Sequence, residues 1–125
     1  MLFGKMMIGL LFLTVNLTTA DGAEPGDSSD AETYNGFRRY HAACNHCHGP
    51  DGLGSTFAPS LIERLPNREA FRGVVLEGVE SGPSVMKGFA GDPNVAPFVD
   101  DIYAYLQARA DGALARGRPR QWSAP

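Results

Sequence analysis

The sequence predicts a small all-α domain built from three main helices and two long loops. Apolar residues recur at spacings of three and four over three segments, which is the helical pattern, and no segment shows the alternation of a strand. The segments 49–66 and 81–93, which separate the helices, are irregular and rich in Gly and Pro. Loops of that length are unusual in a compact domain, so we expect them to wrap around something.

Each helix is predicted from an apolar stripe and from signals at its ends. The predicted ranges are about 32–47, 67–80 and 94–112; Asn67 is a suitable N-cap for the second helix, and Gly112 ends the third. The three stripes consist of Phe37, Tyr40, Cys44 and Cys47, then Phe71, Val74, Val75 and Val79, then Phe98, Ile102, Tyr105 and Leu106. We expect these stripes to form the core.

Length, composition and charge exclude several classes of protein. The 125 residues suffice for about one domain, and a content of 43% hydrophobic and 20% charged residues is that of a globular protein. With 11 Lys and Arg against 14 Asp and Glu, the formal net charge is −3, so the basic surface of a nucleic-acid binder is missing. The two cysteines cannot form the disulfide framework of a small secreted scaffold.

The first twenty residues have the pattern of a secretory signal peptide. Lys5 supplies the positive charge, an apolar stretch runs from Met6 to Val15, and Thr18-Thr19-Ala20 resembles a cleavage site. Cleavage is expected after Ala20. The alternatives are cleavage after Ala23 and a signal segment that stays uncleaved as a membrane anchor. We therefore expect export to the periplasm of a Gram-negative bacterium, with no stable membrane insertion after cleavage.

The remaining chain divides into three parts. Residues 21–33 are acidic, lack large apolar side chains and are predicted to be a flexible leader. The folded domain is predicted over 34–112, and residues 113–125, which contain three arginines separated by Gly and Pro, are predicted to be a tail. A domain of this size has marginal stability from its polypeptide core alone, so an additional stabilising group is expected.

The segment Cys44-Asn45-His46-Cys47-His48 identifies that group. A C-x-x-C-H motif marks covalent attachment of a c-type haem: each cysteine sulfur adds to a vinyl group, and the histidine ligates the iron. On a helix, positions 44, 47 and 48 share one face because they are three and four residues apart, whereas His46 points away. The alternatives are a redox dithiol, which lacks βαβ surroundings here, and a zinc site, which lacks a second pair of ligands.

Met86 is the candidate for the second axial ligand. The other three methionines lie in the predicted signal peptide, so Met86 is the one methionine of the mature chain. A thioether opposite an imidazole is the ligation of electron-transfer cytochromes c. The alternatives are that Met86 only fills space in the core, or that His41 or His46 ligates instead, although both are close to the haem motif along the helix.

The order of helix, C-x-x-C-H, loop, methionine and helix resembles the class I cytochromes c. The segments YNGFRRYHAACNHCHGPDGLGSTFAPSL (34–61) and DDIYAYLQARADGALARGRP (100–119) resemble a narrower group, the periplasmic cytochromes associated with pyrroloquinoline-quinone (PQQ) methanol or ethanol dehydrogenases. The resemblance implies one haem held by Cys44 and Cys47, with His48 and Met86 as axial ligands. It also implies that the carbonyl of Pro59 accepts the ring N–H of His48.

The resemblance also implies how the domain packs. Gly36 is expected where the first and third helices cross, with Phe37 and Tyr40 against Tyr105 and Leu106. The candidates for the apolar haem shell are Phe57, Leu61, Leu65, Phe71, Val75, Phe89, Phe98 and Ile102.

With both axial positions filled, the iron has no site for a substrate, so we expect an electron carrier rather than an enzyme. The expected donor is a PQQ-dependent alcohol dehydrogenase and the expected acceptor a downstream cytochrome or terminal oxidase; a monomer is expected. Two alternatives stay open. One is a general donor to an oxidase with no link to alcohols. The other, which requires that Met86 does not ligate, is a haem sensor or a peroxidase-like protein.

Overall fold

The computed structural model describes residues 28–121. The predicted signal peptide, 1–20, and the leader up to residue 27 lie outside the described residues, as do the last four residues of the predicted tail. Within 28–121, none of the helices is both long enough and apolar enough to span a membrane.

Across residues 28–121, the fold consists of four α-helices and two pairs of short strands. The helices are α1 (Ala31–Ala43), α2 (Asn45–His48), α3 (Arg68–Glu77) and α4 (Val99–Ala110). The strands are β1 (Ser28–Ser29), β2 (Val79–Ser81), β3 (Ser84–Met86) and β4 (Arg120–Gln121), and short 3-10 helices span Pro50–Gly52 and Ala96–Phe98. The predicted helix-rich class is confirmed, with the short strand pairs as an addition.

The crossing of α1 and α4 is the centre of the fold. Gly36 is buried against α4, and a Cβ added there would collide with the backbone carbonyl of Asp101. This close approach brings the rings of Phe37 and Tyr40 within 5.7 and 5.6 Å of the ring of Tyr105, measured between centroids. The predicted packing of the terminal helices is thus confirmed.

The first predicted helix, 32–47, is divided in the structure. Its N-terminus is capped by Asp30, whose carboxylate accepts the amide of Thr33 at 2.7 Å. A turn at Cys44 separates α1 from α2, yet the amides of Cys47 and His48 both donate to the carbonyl of Cys44, at 3.3 and 3.0 Å. The helical spacing of the C-x-x-C-H segment therefore survives the division.

The second predicted helix, 67–80, is too long by three residues. Asn67 caps α3 as predicted, its side chain accepting the amide of Ala70 at 2.9 Å. The helix ends at Glu77 because Gly78 adopts a φ of +80°, a conformation that glycine favours and that cannot continue a helix. Val79 extends the apolar stripe, which explains the error, but it begins strand β2.

Strands β2 and β3 form an antiparallel hairpin, in which Val79 pairs with Met86 and Ser81 with Ser84. The sequence did not predict it, since three-residue strands are too short to show alternation. The third helix, predicted over 94–112, begins with the 3-10 turn at Ala96–Phe98 and continues as α4 to Ala110.

The packed part of the chain extends beyond the predicted domain, 34–112, at both ends. Strand β1, within the predicted leader, pairs in parallel with β4, within the predicted tail. Leu114 is 2% exposed and belongs to the core. Residues 31–33 are the first turn of α1, and residues 113–121 pack on the domain although their sequence shows no helical pattern.

Candidate functional site

A cavity of about 960 Å³ lies between α2, α3, the hairpin and α4. This is near the upper end of the roughly 300–1,000 Å³ found for ligand pockets. The lining side chains are mostly apolar and come from the whole length of the domain. They belong to Ala43, Cys44, Cys47, His48, Thr56, Phe57, Ala58, Pro59, Leu61, Pro66, Phe71, Val74, Val75, Val79, Ser81, Pro83, Ser84, Val85, Met86, Lys87, Phe89, Ile102 and Leu106.

The three candidate haem-binding residues of the C-x-x-C-H segment share one side of their helix. Cys44, Cys47 and His48 all line the cavity, whereas His46 is exposed and does not. Helical hydrogen bonds across the segment produce this arrangement, because they place positions three and four residues apart on the same face.

Cys44 does not have the character of the reactive thiol of a redox dithiol. Cys44 and Cys47 are not joined by a disulfide. Burial, together with the neighbouring Cys47, raises the pKa of the Cys44 thiol to about 11. Reactive cysteines have a lowered pKa, so a free Cys44 is a neutral and unreactive thiol near pH 7. Within residues 28–121, moreover, no three His, Cys, Asp or Glu side chains come together in an arrangement that could hold a metal ion, as a zinc site requires.

His48 is held in one tautomer by Pro59. Its Nδ1 lies 3.0 Å from the carbonyl oxygen of Pro59. A carbonyl can only accept, so Nδ1 must carry the proton, and Nε2 keeps its lone pair for a metal. A ligating histidine normally has such a hydrogen bond, which orients the ring and strengthens it as a donor.

Met86 reaches the cavity from the end of the hairpin. It is partly buried against the core and lines the cavity together with His48. Close packing at the hairpin base places it there: a Cβ on Gly88 would lie 2.6 Å from the carbonyl oxygen of Leu76. The amide of Phe89 also donates to Val75, at 2.9 Å, so that the chain after Met86 is fastened to α3.

His41 is a structural residue. Its Nδ1 lies 2.9 Å from the carbonyl of Phe37, and its Nε2 accepts the amide of Asp51 at 3.2 Å. Both ring nitrogens are thereby used, which leaves none for a metal. This geometry is that of a hydrogen-bonded helix histidine, and it argues against His41 as the alternative ligand.

Six of the eight candidates for the apolar haem shell line the cavity. The members that line the cavity are Phe57, Leu61, Phe71, Val75, Phe89 and Ile102. Leu65 packs against the core but is not in the cavity lining, and the ring of Phe98 instead carries the guanidinium of Arg39 at 3.8 Å. Phe57 lines the cavity but is 80% exposed, because it lies in an open loop at the mouth.

The polar contacts of two residues around the site were missed by the sequence reasoning. Tyr40 is fully buried, and its hydroxyl donates to the carbonyl of Gly49 at 2.6 Å, directly after His48. Asp51 is a buried carboxylate with a φ of 59°. Its Asp51-Gly52 dipeptide is a turn signal that marks this conformation, but no sequence signal indicates its distant partners.

This set of groups fits a covalently attached haem. The cavity is large and mostly apolar, and it presents two thiols with the spacing of the haem-attachment motif. It also offers an imidazole nitrogen and a thioether sulfur, the two ligand types of electron-transfer cytochromes c. A C-x-x-C-H helix beneath crossed terminal helices is the arrangement of the class I cytochromes c.

Comparison with known proteins gives the same class. A family model described as "Cytochrome C oxidase, cbb3-type, subunit III" matches residues 31–106. Cytochrome c-555 of Methylococcus capsulatus is 38% identical over 91 residues, covering 70% of this chain and 71% of that protein. The chain therefore belongs to the cytochrome c family, whose members carry covalently bound haem c and transfer electrons.

Two further relatives are longer than this chain. Cytochrome c-553I of Paracoccus denitrificans is 41% identical over 119 residues, which are 89% of this chain and 51% of that protein. The crystal structure of the c-type cytochrome XoxG from Methylobacterium extorquens AM1 superposes with a TM-score of 0.70 at 45% identity, over 78% of this chain and 63% of that chain. The chain thus spans about half to two thirds of the length of these relatives.

Proposed function

We propose that this protein is a periplasmic monohaem electron carrier. Cys44 and Cys47 hold the haem, and His48 and Met86 are its axial ligands. The observation that carries the proposal is that His48, with Nδ1 committed to Pro59, lines the same cavity as the methionine. The chain has two cysteines and one C-x-x-C-H motif, which supports a single haem.

The bound haem would supply a one-electron change in the oxidation state of iron. The protein's own residues bind, orient and shield it. His48 is oriented by Pro59, and the apolar lining, including Phe71 and Val75, excludes water from the cavity. A thioether ligand favours the ferrous state relative to a harder ligand, so Met86 sets the protein up to accept electrons.

The proposed donor is a PQQ-dependent alcohol dehydrogenase, and the proposed acceptor is a downstream cytochrome or terminal oxidase. The resemblance of the segments 34–61 and 100–119 to cytochromes associated with such dehydrogenases supports this pairing. Export of the chain and a monomeric state are part of the same proposal.

The proposal is tested by mixing the oxidised holoprotein with a purified, substrate-reduced quinoprotein dehydrogenase in a stopped-flow instrument. Rapid second-order reduction is expected. A mitochondrial-type cytochrome c at the same concentration serves as the control for non-specific reduction. If the dehydrogenase reduces both cytochromes at the same slow rate, while a Met–iron charge-transfer band is present, the chain is a general electron donor without a link to alcohol oxidation. An oxidised spectrum without that band would instead favour a sensor or a peroxidase-like protein.

A further inference from the structure

Asp51, three residues after His48, has an unusually well-satisfied buried carboxylate. Its side chain accepts the amide of Gly117 at 3.1 Å and the guanidinium Nε of Arg116 at 3.3 Å, and the hydroxyl of Tyr105 lies at 3.5 Å. Only 6% of the residue is exposed. Because a buried carboxylate is costly unless it is paired, these contacts fix both Asp51 and the C-terminal segment that supplies two of them.

The backbone of Asp51 is held equally firmly. Its φ of 59° is in the left-handed region, which Asp adopts more readily than most residues but which needs support from its surroundings. The amide donates to Nε2 of His41 at 3.2 Å, and the carbonyl accepts Nε of Arg109 at 3.4 Å. The turn is therefore fastened to α1 on one side and to α4 on the other.

The next residue, Gly52, transmits this position to the far end of the same loop, at residues 59–61. Its carbonyl accepts the amide of Leu61 at 2.9 Å and the hydroxyl of Ser60 at 3.1 Å. Ser60 directly follows Pro59, whose carbonyl lies 3.0 Å from Nδ1 of His48. The place of the Pro59 carbonyl thus depends on where the Gly52 carbonyl points.

We propose that Asp51 is a positioning residue for His48. It fastens the turn Pro50–Gly52 to the C-terminal segment 114–121, and this turn holds the carbonyl of Pro59 against the ring N–H of His48. The proposal rests on the proposed function, in which His48 ligates the iron. The C-terminal segment thus has a structural role: it packs on the turn through Arg116 and Gly117 and thereby keeps the ring of His48 oriented.

Hydrogen exchange measured by NMR on the reduced holoprotein tests this role. In Asp51→Gly the positive φ is tolerated, so the variant loses the contacts of the carboxylate without gaining strain. We expect the ring N–H of His48 and the amide of Leu61 to exchange at least tenfold faster than in the wild type. The helical amide of Leu106 on α4 should exchange at its wild-type rate.

Two further variants control the measurement. Asp111→Asn alters an exposed carboxylate that accepts from Gln107 at 3.0 Å, and it should leave exchange at His48 unchanged. Arg116→Gln removes one charged partner and leaves the backbone of Asp51 intact. It should accelerate exchange at the same two sites by a smaller factor, and it carries the test if Asp51→Gly does not fold.

Unchanged exchange at His48 and Leu61 in the folded variants would overturn the proposal. So would equal acceleration at Leu106, because that outcome identifies a general loss of stability rather than a local one. Ligation by His48 is assessed separately in the wild type, from the shifts of its ring protons beside the haem. A failure there contradicts the proposed function, whatever the exchange rates of the variants show.

Discussion

The two walls of the cavity that carry the candidate haem ligands are built very differently. His48 lies in a stretch cross-linked by hydrogen bonds: its own carbonyl accepts the amide of Gly54 at 2.7 Å, and Tyr40 donates to the next carbonyl at 2.6 Å. Met86 ends a hairpin of two three-residue strands whose Val79 and Val85 are 41% and 68% exposed. Regions with few buried contacts open at low free-energy cost. Conditions that loosen the protein should therefore release Met86 before His48.

The difference between the two walls should disappear if the haem is never attached, because both walls face the same cavity and should then unfold together. Without the haem, the mostly apolar side chains that line the cavity of about 960 Å³ remain in contact with water. The burial lost in this way is large beside the roughly 5–15 kcal/mol that stabilises a typical domain. We expect the double variant Cys44→Ala, Cys47→Ala to be largely unfolded by circular dichroism. Cooperative unfolding in urea at a midpoint close to that of the holoprotein would contradict this expectation.

Removing only the second ligand should affect the Met86 wall and leave the His48 wall unchanged. Met86→Ala is expected to lose the Met–iron charge-transfer band of the oxidised protein and to have a lower reduction potential, since water or another harder ligand favours ferric iron. The haem should stay covalently attached and the fold intact, because the wall of His48 does not depend on the methionine. Absorption spectra and a haem stain of a denaturing gel measure both properties.

Val85→Ala is the matched control for Met86→Ala. It truncates the neighbouring residue of the same hairpin, which is 68% exposed, and it should keep the band. If the band survives in Met86→Ala, Met86 is not the ligand, and the assignment of the second axial position falls.

The same contrast explains what could be predicted from the sequence. The C-x-x-C-H segment is local, so its spacing alone predicted that Cys44, Cys47 and His48 share one face. Met86 followed by elimination among the methionines, and Pro59 followed from family resemblance rather than from spacing. The contacts that hold Asp51 could not be predicted, because Arg116 and Gly117 are 65 and 66 residues away in the chain. Chain-distant contacts of this kind leave no periodic signal.

A smaller change at the hairpin base should weaken the Met86 wall alone. Gly88→Ala places a Cβ 2.6 Å from the carbonyl oxygen of Leu76. Because that oxygen belongs to the backbone and cannot rotate away, the backbone at one of the two residues must shift. We expect a loss of about 1–3 kcal/mol in the free energy of unfolding, typical of overpacking, together with a weaker charge-transfer band. Urea unfolding and absorption spectra measure the two effects.

Gly91→Ala provides the control for Gly88→Ala. A Cβ at Gly91 meets nothing within 4 Å, and this glycine has no positive φ. The substitution should therefore leave the band unchanged and the stability equal or slightly higher, by up to about 1 kcal/mol, since alanine restricts the unfolded chain. Equal effects from the two substitutions would show that packing at the hairpin base does not hold Met86.

The smallest expected effect concerns the outer surface of the Met86 wall. Lys87 follows the candidate ligand, is exposed and lines the mouth of the cavity, with Nζ 5.0 Å from the ring centroid of Phe89. Charges at the rim of a transient complex act mainly on the association rate.

Lys87→Glu should therefore slow reduction by the partner dehydrogenase several-fold at low ionic strength. The difference should shrink as added salt shortens the range of the interaction. Arg38→Glu makes the same charge change at an exposed position of α1 outside the cavity lining, and it should alter the rate much less. If stopped-flow rates at low salt are equal for the wild type and Lys87→Glu, this lysine does not belong to the docking surface. The exposed apolar residues at the cavity mouth, Phe57 and Val85, would then be the contact to test, because an apolar interface predicts a rate that salt does not change.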